Sequence, residues 1–420
     1  MNKPTTNAPK SSLVRVNGTS YLVPFILVTS LFFLWGFAHS LLDVLNKHFQ
    51  DILGISRAES GLVQAALYGG YLIMAIPAGL IMNRFGYKKG IILGLLVFAI
   101  GAFLFYPAAT YVQTFSSFLT CLFIIACGLT CLETAANPYT TVLGPSKSAA
   151  QRINLSQSFN GQGWIVGPLI GGLVIFGNTD GGDQFSSLAI PYVGVGFLVL
   201  LVAIFFIRTP LPEISEHAHG HGSSEAAAVE VPEKQSLFQY RHFKLAILTQ
   251  FLYVAAQTGV NSFFINYVTE EIPSISNQDA SLILSFGGMG LFMVGRLSGS
   301  FIMRYVKPNL LLAIYAIANT VLMLAVLLGL GWVSIVALFG SYFFMSVMFP
   351  TIFALGIRDL GRHTKKASSY IVMGVAGGAI CPIVMGYIAD ITGSMAIGFS
   401  IPLVCFAAIA AYGLWGYKLK

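Results

Sequence analysis

The sequence predicts an all-α integral membrane protein of 12 transmembrane helices, arranged as two pseudo-symmetric six-helix halves. Three observations carry that expectation. First, the 420 residues are 56% hydrophobic and only 9% charged, with a mean hydropathy of +0.77, whereas soluble globular chains carry about 25% charged residues. Second, the apolar residues come in long runs grouped as six, a polar gap, and six. The runs are continuous rather than alternating, which excludes the strands of a membrane β-barrel. Third, the two groups of six repeat each other's punctuation.

A helical span needs about 20 apolar residues. Reading the runs between polar breaks gives spans near 21–46, 60–82, 90–108, 114–142, 152–176 and 189–207, then 243–268, 280–303, 310–329, 332–356, 367–389 and 396–416. Residues 1–20 form a polar, basic tail that lacks the apolar core of a cleavable signal peptide. Residues 209–242 include PLPEISEHAHGHGSSEAAAVEVPEK, whose Pro, Gly, Ser, Ala and Glu cannot build a packed core. The expected plan is therefore a tail, a half over 21–208, a linker over 209–242 and a half over 243–417.

Basic residues set the sidedness. With the N-terminus inside, all but three of the 23 Lys and Arg residues fall on the inner side or in the inner loops: Lys47 and Arg57 lie outside and Arg296 lies within a span. Asp180, Asp183, Glu270, Glu271 and Asp279 lie on the outer side. The bias toward positive inner loops implies an even number of spans with both termini cytoplasmic, in a cell inner membrane. The basic balance thus belongs to a lipid bilayer rather than to nucleic acid.

The repeat is visible in single residues. Gly79 and Arg84 at the end of the second span have counterparts 220 positions later in Gly299 and Arg304. Pro138 matches Pro350 at an offset of 212, and Gly167-Pro168 matches Cys381-Pro382 at 214. Two parallel six-helix halves joined by a cytoplasmic linker are the plan of the major facilitator superfamily, in which substrate binds between the halves near the midplane. The segment GLIMNRFGYKKG, residues 79–90, resembles the characteristic loop of that superfamily, with Asn83 where an aspartate usually precedes the arginine. A short basic turn between hairpinned helices is the plainer reading of the same residues. Pro77, Pro138, Pro168, Pro350 and Pro382 mark kinks or close helix contacts.

Two acids lie well within spans, Asp43 in FLWGFAHSLLDVLN and Glu133 in GLTCLETAANPY. A carboxylate at the centre of a span costs about 2.5 to 3.5 kcal/mol on insertion scales, so its presence calls for a reason. Proton coupling is one: a desolvated carboxyl binds a proton on one side and releases it on the other as hydration alternates. On that reading both acids face the central cavity of the first half. The alternatives are structural. Asp43 can sit at the outer water interface beside Asn46 and Lys47, and Glu133 can be held in an ion pair with Arg296.

Around the acids stands a set of amides and aromatics that suits a neutral, polyhydroxylated ligand: Trp35, His39, Asn46, Asn137, Gln157, Asn160, Gln162 and Trp164 in the first half, and Gln257, Asn261 and Asn266 in the second. Each sugar hydroxyl donates and accepts, as an amide does, and the apolar face of the ring packs on an indole. Gln157 and Asn160 share a helical face, as do Glu133 and Asn137. His39 stands four residues before Asp43, within reach to share its proton. Interhelical hydrogen bonding is the competing use of each amide.

Other chemistries are not supported. No GxxxxGK[ST] loop for a nucleotide-driven pump is present. Cys121, Cys127, Cys131, Cys381 and Cys405 fall inside apolar runs without zinc-type spacing, and His217, His219 and His221 read as spacer in the linker. No enzymatic constellation and no cofactor beyond the coupling ion is expected, nor a metal site.

FLWGFAHSLLDVLNKHFQ, GLTCLETAANPYTTVLGP and RINLSQSFNGQGWIVGP resemble the first, fourth and fifth span signatures of the fucose:proton symporter family of the major facilitator superfamily, which also holds glucose/galactose and N-acetylglucosamine importers. The resemblance implies that Asp43 and Glu133 match the two membrane carboxylates of the coupling mechanism and that Gln157 and Asn160 match its sugar-facing amides. Ala38-His39-Ser40-Leu41-Leu42 departs from the asparagine-rich segment of fucose-specific members, which leaves glucose, galactose or an amino sugar open beside L-fucose. The expectation is a proton-coupled hexose importer, acting as a monomer. A sodium-coupled symporter and an exporter of small metabolites or drugs are the alternatives.

Overall fold

Inside a bilayer the backbone must satisfy its own hydrogen bonds, and helices do this within one segment. The computed structural model describes residues 14–16, 19–145, 149–177, 184–210, 237–303, 305–360, 367 and 370–418, with their side chains except those of residues 83, 137, 138, 141, 142, 149–151, 154, 184–187 and 300. Its helices are α1 (Leu22–Leu53), α2 (Leu62–Phe85), α3 (Tyr87–Pro107), α4 (Phe115–Val142), α5 (Ala149–Ile170), α6 (Gln184–Arg208), α7 (Arg241–Ser262), α8 (Asn277–Gly299), α9 (Pro308–Leu327), α10 (Trp332–Gly356), α11 (Tyr370–Thr392) and α12 (Met395–Gly416). Ten helical segments among the described residues are long and apolar enough to cross a membrane. The two that fall short are α5 and α7, because they carry the amides Gln157, Asn160, Gln257 and Asn261. The twelve-helix expectation holds, and the hydropathy deficit marks the helices that are polar on purpose.

The expected boundaries are mostly right to within a few residues, and the largest difference is at the end of α1. α1 runs to Leu53 rather than residue 46 and stops at Gly54, which takes the left-handed conformation (φ 62°) while its N–H bonds the Gln50 carbonyl. Asp43, Asn46 and Gln50 therefore lie on helix rather than in an interface loop. In the tail, Arg15–Val16 pairs antiparallel with Thr19–Ser20. The linker segment 211–236, including the histidine tract, lies outside the described residues, as do Arg304 and the side chain of Asn83.

The packing repeats as the sequence does. α1 lies against α5 and α3 against α4 and α6; correspondingly α7 lies against α11 and α9 against α10 and α12. Between the halves, α2 meets α11 and α5 meets α8. The α1–α5 contact is made by glycines at every fourth residue. A Cβ at Gly163 would overlap the Phe33 carbonyl, one at Gly167 would overlap the Ser40 hydroxyl, and one at Gly171 would stand 2.7 Å from Val44. Small residues of this kind let membrane helices approach closely, since lipid offers no hydrophobic drive between them.

Every hydrogen bond between the halves that the described residues make lies between the midplane and one end of the bundle, the end remote from the start of α1 and the finish of α12. This end is called distal. Asn46 Nδ2 donates to the Ser262 carbonyl (2.6 Å), and Gln50 and Asn266 exchange amide bonds, the shorter at 2.6 Å. Ser281 and Ser285 of α8 donate to the Pro168 and Ile165 carbonyls of α5 (2.7 and 2.6 Å). The one-turn helix Arg57–Ser60 is held by a capping box between Ser56 and Glu59. From it Arg57 pairs with Glu270 (2.7 Å), and the amides of Arg57 and Ala58 donate to Asp390. The distal end is closed.

Candidate functional site

Trp35 and Leu31 of α1, Glu133 and Ala136 of α4, and Gln157 of α5 line a small pocket, with Phe32 and Leu132 completing its apolar wall. The helical period places them there. Leu31 and Trp35 are four residues apart on α1, and Leu132, Glu133 and Ala136 span one turn of α4. Glu133 is half-buried and so borders the pocket without being sealed from it.

Behind this wall stands a residue the sequence reading passed over. The Tyr71 hydroxyl of α2 accepts the Trp35 indole N–H (2.5 Å), lies 3.1 Å from His39 Nε2, and shares a hydrogen bond with Glu133. His39 sits in an aromatic enclosure, its ring centroid 5.1 Å from Trp35, 5.5 Å from Tyr71, 5.9 Å from Trp164 and 6.3 Å from Tyr68. Gln64, Tyr68 and Tyr71 recur at four- and three-residue spacing on α2, a polar face within an apolar run. That periodicity was the available signal, and tyrosine's ordinary presence in membrane spans hid it.

Asp43 is elsewhere. It is 2% exposed, accepts from Gln64 Nε2 (3.2 Å) through one oxygen, and its other oxygen has no partner. It is not among the residues that line the pocket: it stands two turns beyond Trp35 on α1, toward the distal contact. The expected sharing of a proton between His39 and Asp43 is not seen either, since His39 bonds Tyr71 and Asp43 bonds Gln64. Arg296 lies over the Phe292 ring with its guanidinium carbon 4.9 Å from the centroid, and its Nε donates to the Ser346 carbonyl (3.4 Å). Phe292 and Ser346 both belong to the second half.

The amides divide. Gln157 faces the pocket. Asn160 is 2% exposed and donates to the Phe32 carbonyl (3.1 Å), joining α5 to α1. Gln162 is exposed, because five residues on an α-helix turn it about 140° from Gln157. Asn46 and Asn266 belong to the distal contact described above. In the second half Gln257 is half-buried, Asn261 is buried with its carbonyl oxygen unpartnered, and Thr258 between them meets the Tyr68 hydroxyl at 3.0 Å. The side chain of Asn137 lies outside the described residues. The cysteines are free; Cys127 is half-buried and the other four are buried.

Comparison with known proteins agrees with this architecture. Residues 26–380 match the model of the Major Facilitator Superfamily. An L-fucose-proton symporter of Escherichia coli is 40% identical over 408 residues, covering 93% of this chain and 92% of that one. A glucose/galactose transporter of Brucella abortus is 36% identical over 395 residues, 93% of each. Crystal structures of FucP, the E. coli fucose:proton symporter, superpose with TM-scores of 0.67 and 0.66 at 38% identity, covering 96% and 95% of this chain and 100% of theirs, and one of them is in the outward conformation. The chain belongs to the major facilitator superfamily, in the branch that holds L-fucose–proton symporters and glucose/galactose transporters.

Proposed function

We propose that the chain is a proton-coupled importer of a neutral hexose, with Glu133 carrying the proton at the sugar site and Asp43 carrying one in the distal contact. The observation that supports this most is the pocket wall itself. A carboxylate, an indole and an amide converge on one small cavity, and the relatives of matching length are sugar transporters. The sugar stacks on Trp35 and bonds Gln157, with Gln257 and Asn261 closing on it from the second half. The two halves, 21–208 and 243–417, rock about this site. The positive-inside bias assigns the distal end to the outside, so the structure is closed outward; both termini are cytoplasmic, in an inner membrane, and one chain suffices.

The separation of the two carboxylates favours protons over sodium. A bound sodium ion needs several oxygens around one point, and a pocket-side Glu133 with a sealed Asp43 does not supply them. Each acid is instead placed to take one proton in a different stage of the cycle.

The test is uptake of labelled L-fucose, D-galactose and D-glucose into proteoliposomes. An inside-alkaline gradient is expected to drive accumulation of at least one of them. Glu133→Gln is expected to remove the gradient's effect, a loss of roughly 5- to 150-fold if coupling has its usual magnitude. Uptake indifferent to the gradient in the unmodified protein would overturn the reading.

A further inference from the structure

We propose that Tyr71 is a positioning residue that transmits the protonation state of Glu133, at the pocket wall, to His39 as the direction of a hydrogen-bond chain. The proposal rests on the transport reading above and deepens it. It follows from counting protons and lone pairs at one oxygen.

A tyrosine hydroxyl has one proton to give and two lone pairs to receive with. Indole N–H only donates, so Trp35 occupies one lone pair at 2.5 Å. One proton and one lone pair remain for two partners, Glu133 and His39 Nε2. An ionised Glu133 is acceptor only, so it takes the hydroxyl proton, and the remaining lone pair accepts from a protonated Nε2. A protonated Glu133 that donates to Tyr71 takes that lone pair instead. The hydroxyl proton then turns to His39, whose Nε2 becomes the acceptor while Nδ1 carries the hydrogen. The imidazole stays neutral throughout: its Nε2 proton passes to the Tyr71 oxygen as the hydroxyl proton passes to Glu133, and the one proton taken up from the medium arrives at Nδ1. A protonated carboxyl also keeps an accepting carbonyl oxygen; the switch operates in the geometry where its O–H faces Tyr71.

The groups facing Tyr71 permit this. His39 comes from α1, Tyr68 from its own helix, and Glu133 from α4; α5 contributes the untitratable Trp164 to the same enclosure. Asp43, a turn beyond His39, is bonded to Gln64 instead. Trp35 and Glu133, which bond the same hydroxyl, both line the pocket, so the direction of the chain bears on the sugar site and supplies the differential affinity that coupling requires.

The experiment is ¹⁵N NMR of full-length protein in lipid nanodiscs without sugar, with the other six histidines assigned by substitution, followed by L-fucose and D-galactose binding across pH. His39 is expected to change from the Nε2–H to the Nδ1–H form as the pH falls through the titration of Glu133. In Glu133→Gln it is expected to hold one form at all pH, and in Tyr71→Phe to lose its response. Binding of the preferred sugar is expected to vary with pH in the unmodified protein by roughly fivefold or more and to flatten in Tyr71→Phe. A single His39 tautomer across the range in the unmodified protein overturns the proposal even if gradient-driven uptake succeeds. The tautomer measurement needs no sugar, so failure of the transport reading leaves it decisive, and the unmodified protein and Glu133→Gln decide the matter if Tyr71→Phe does not fold.

Discussion

Asp43 and Glu133 are the same functional group in two settings, one sealed between helices and one at the rim of a pocket. Gln64 is the bonded partner of Asp43, so its removal is costly. Gln64→Leu is expected to lower stability by about 1–3 kcal/mol, because a buried polar group loses its partner; thermal unfolding in detergent measures it, and an unchanged midpoint would count against the Asp43–Gln64 bond. Both acids were legible in the sequence, since a charge in an apolar run stands out. Their difference was not, because burial depends on how far α1 continues and on which end of the bundle is shut. Asn160 shows the same limit for amides: its place on the face of Gln157 was readable, but its use in bonding the Phe32 carbonyl depends on how closely glycines bring α1 and α5 together. Gln162 is the converse case, since helical period alone turns it away from that face.

At the scale of the element, α5 carries two kinds of glycine. Gly167 sits where any side chain meets Ser40, whereas Gly161 has open space around its Cβ position. Gly167→Leu is expected to force α1 and α5 apart and to cost about 1–3 kcal/mol or more by overpacking. Gly161→Ala is expected to be neutral or to stabilise by up to about 1 kcal/mol, from lower backbone entropy in the unfolded chain. Comparing their melting temperatures with the unmodified protein separates close packing from glycine content; equal losses would contradict the packing described. The twelve spans were legible from hydropathy and punctuation. The place of α5 at the pocket also lay in the sequence, in Gln157, one of the amides that make this helix a poor membrane span by composition.

For the molecule as a whole, the closed distal end is one of two arrangements that the same sequence must visit. Residue patterns therefore could not say which end is shut, because transport requires both states within a few kcal/mol. The Arg57–Glu270 pair is partly exposed and so stabilises closure by only about 0.2–1 kcal/mol. Gly386 is a stronger lever, since a side chain there would overlap the Arg57 carbonyl. Arg57→Ala is expected to raise labelling of a cysteine placed at position 46 by an external, impermeant maleimide about fivefold at most, and Gly386→Leu by more. Equal labelling in all three proteins would show that these contacts do not hold the gate.

The distal contact has one further property. Asn46 meets Ser262 and Gln50 meets Asn266, both at a separation of 216 residues, close to the offsets that relate the two halves in sequence. Each pair thus joins stretches that stand at nearly the same place in the two halves. The arrangement resembles an isologous interface, in which one surface is complementary to itself across a two-fold axis. The gate is accordingly built from equivalent places in the two halves, while Trp35, Asp43 and Glu133 all lie in the first, so the contact follows the repeat and the intramembrane carboxylates do not.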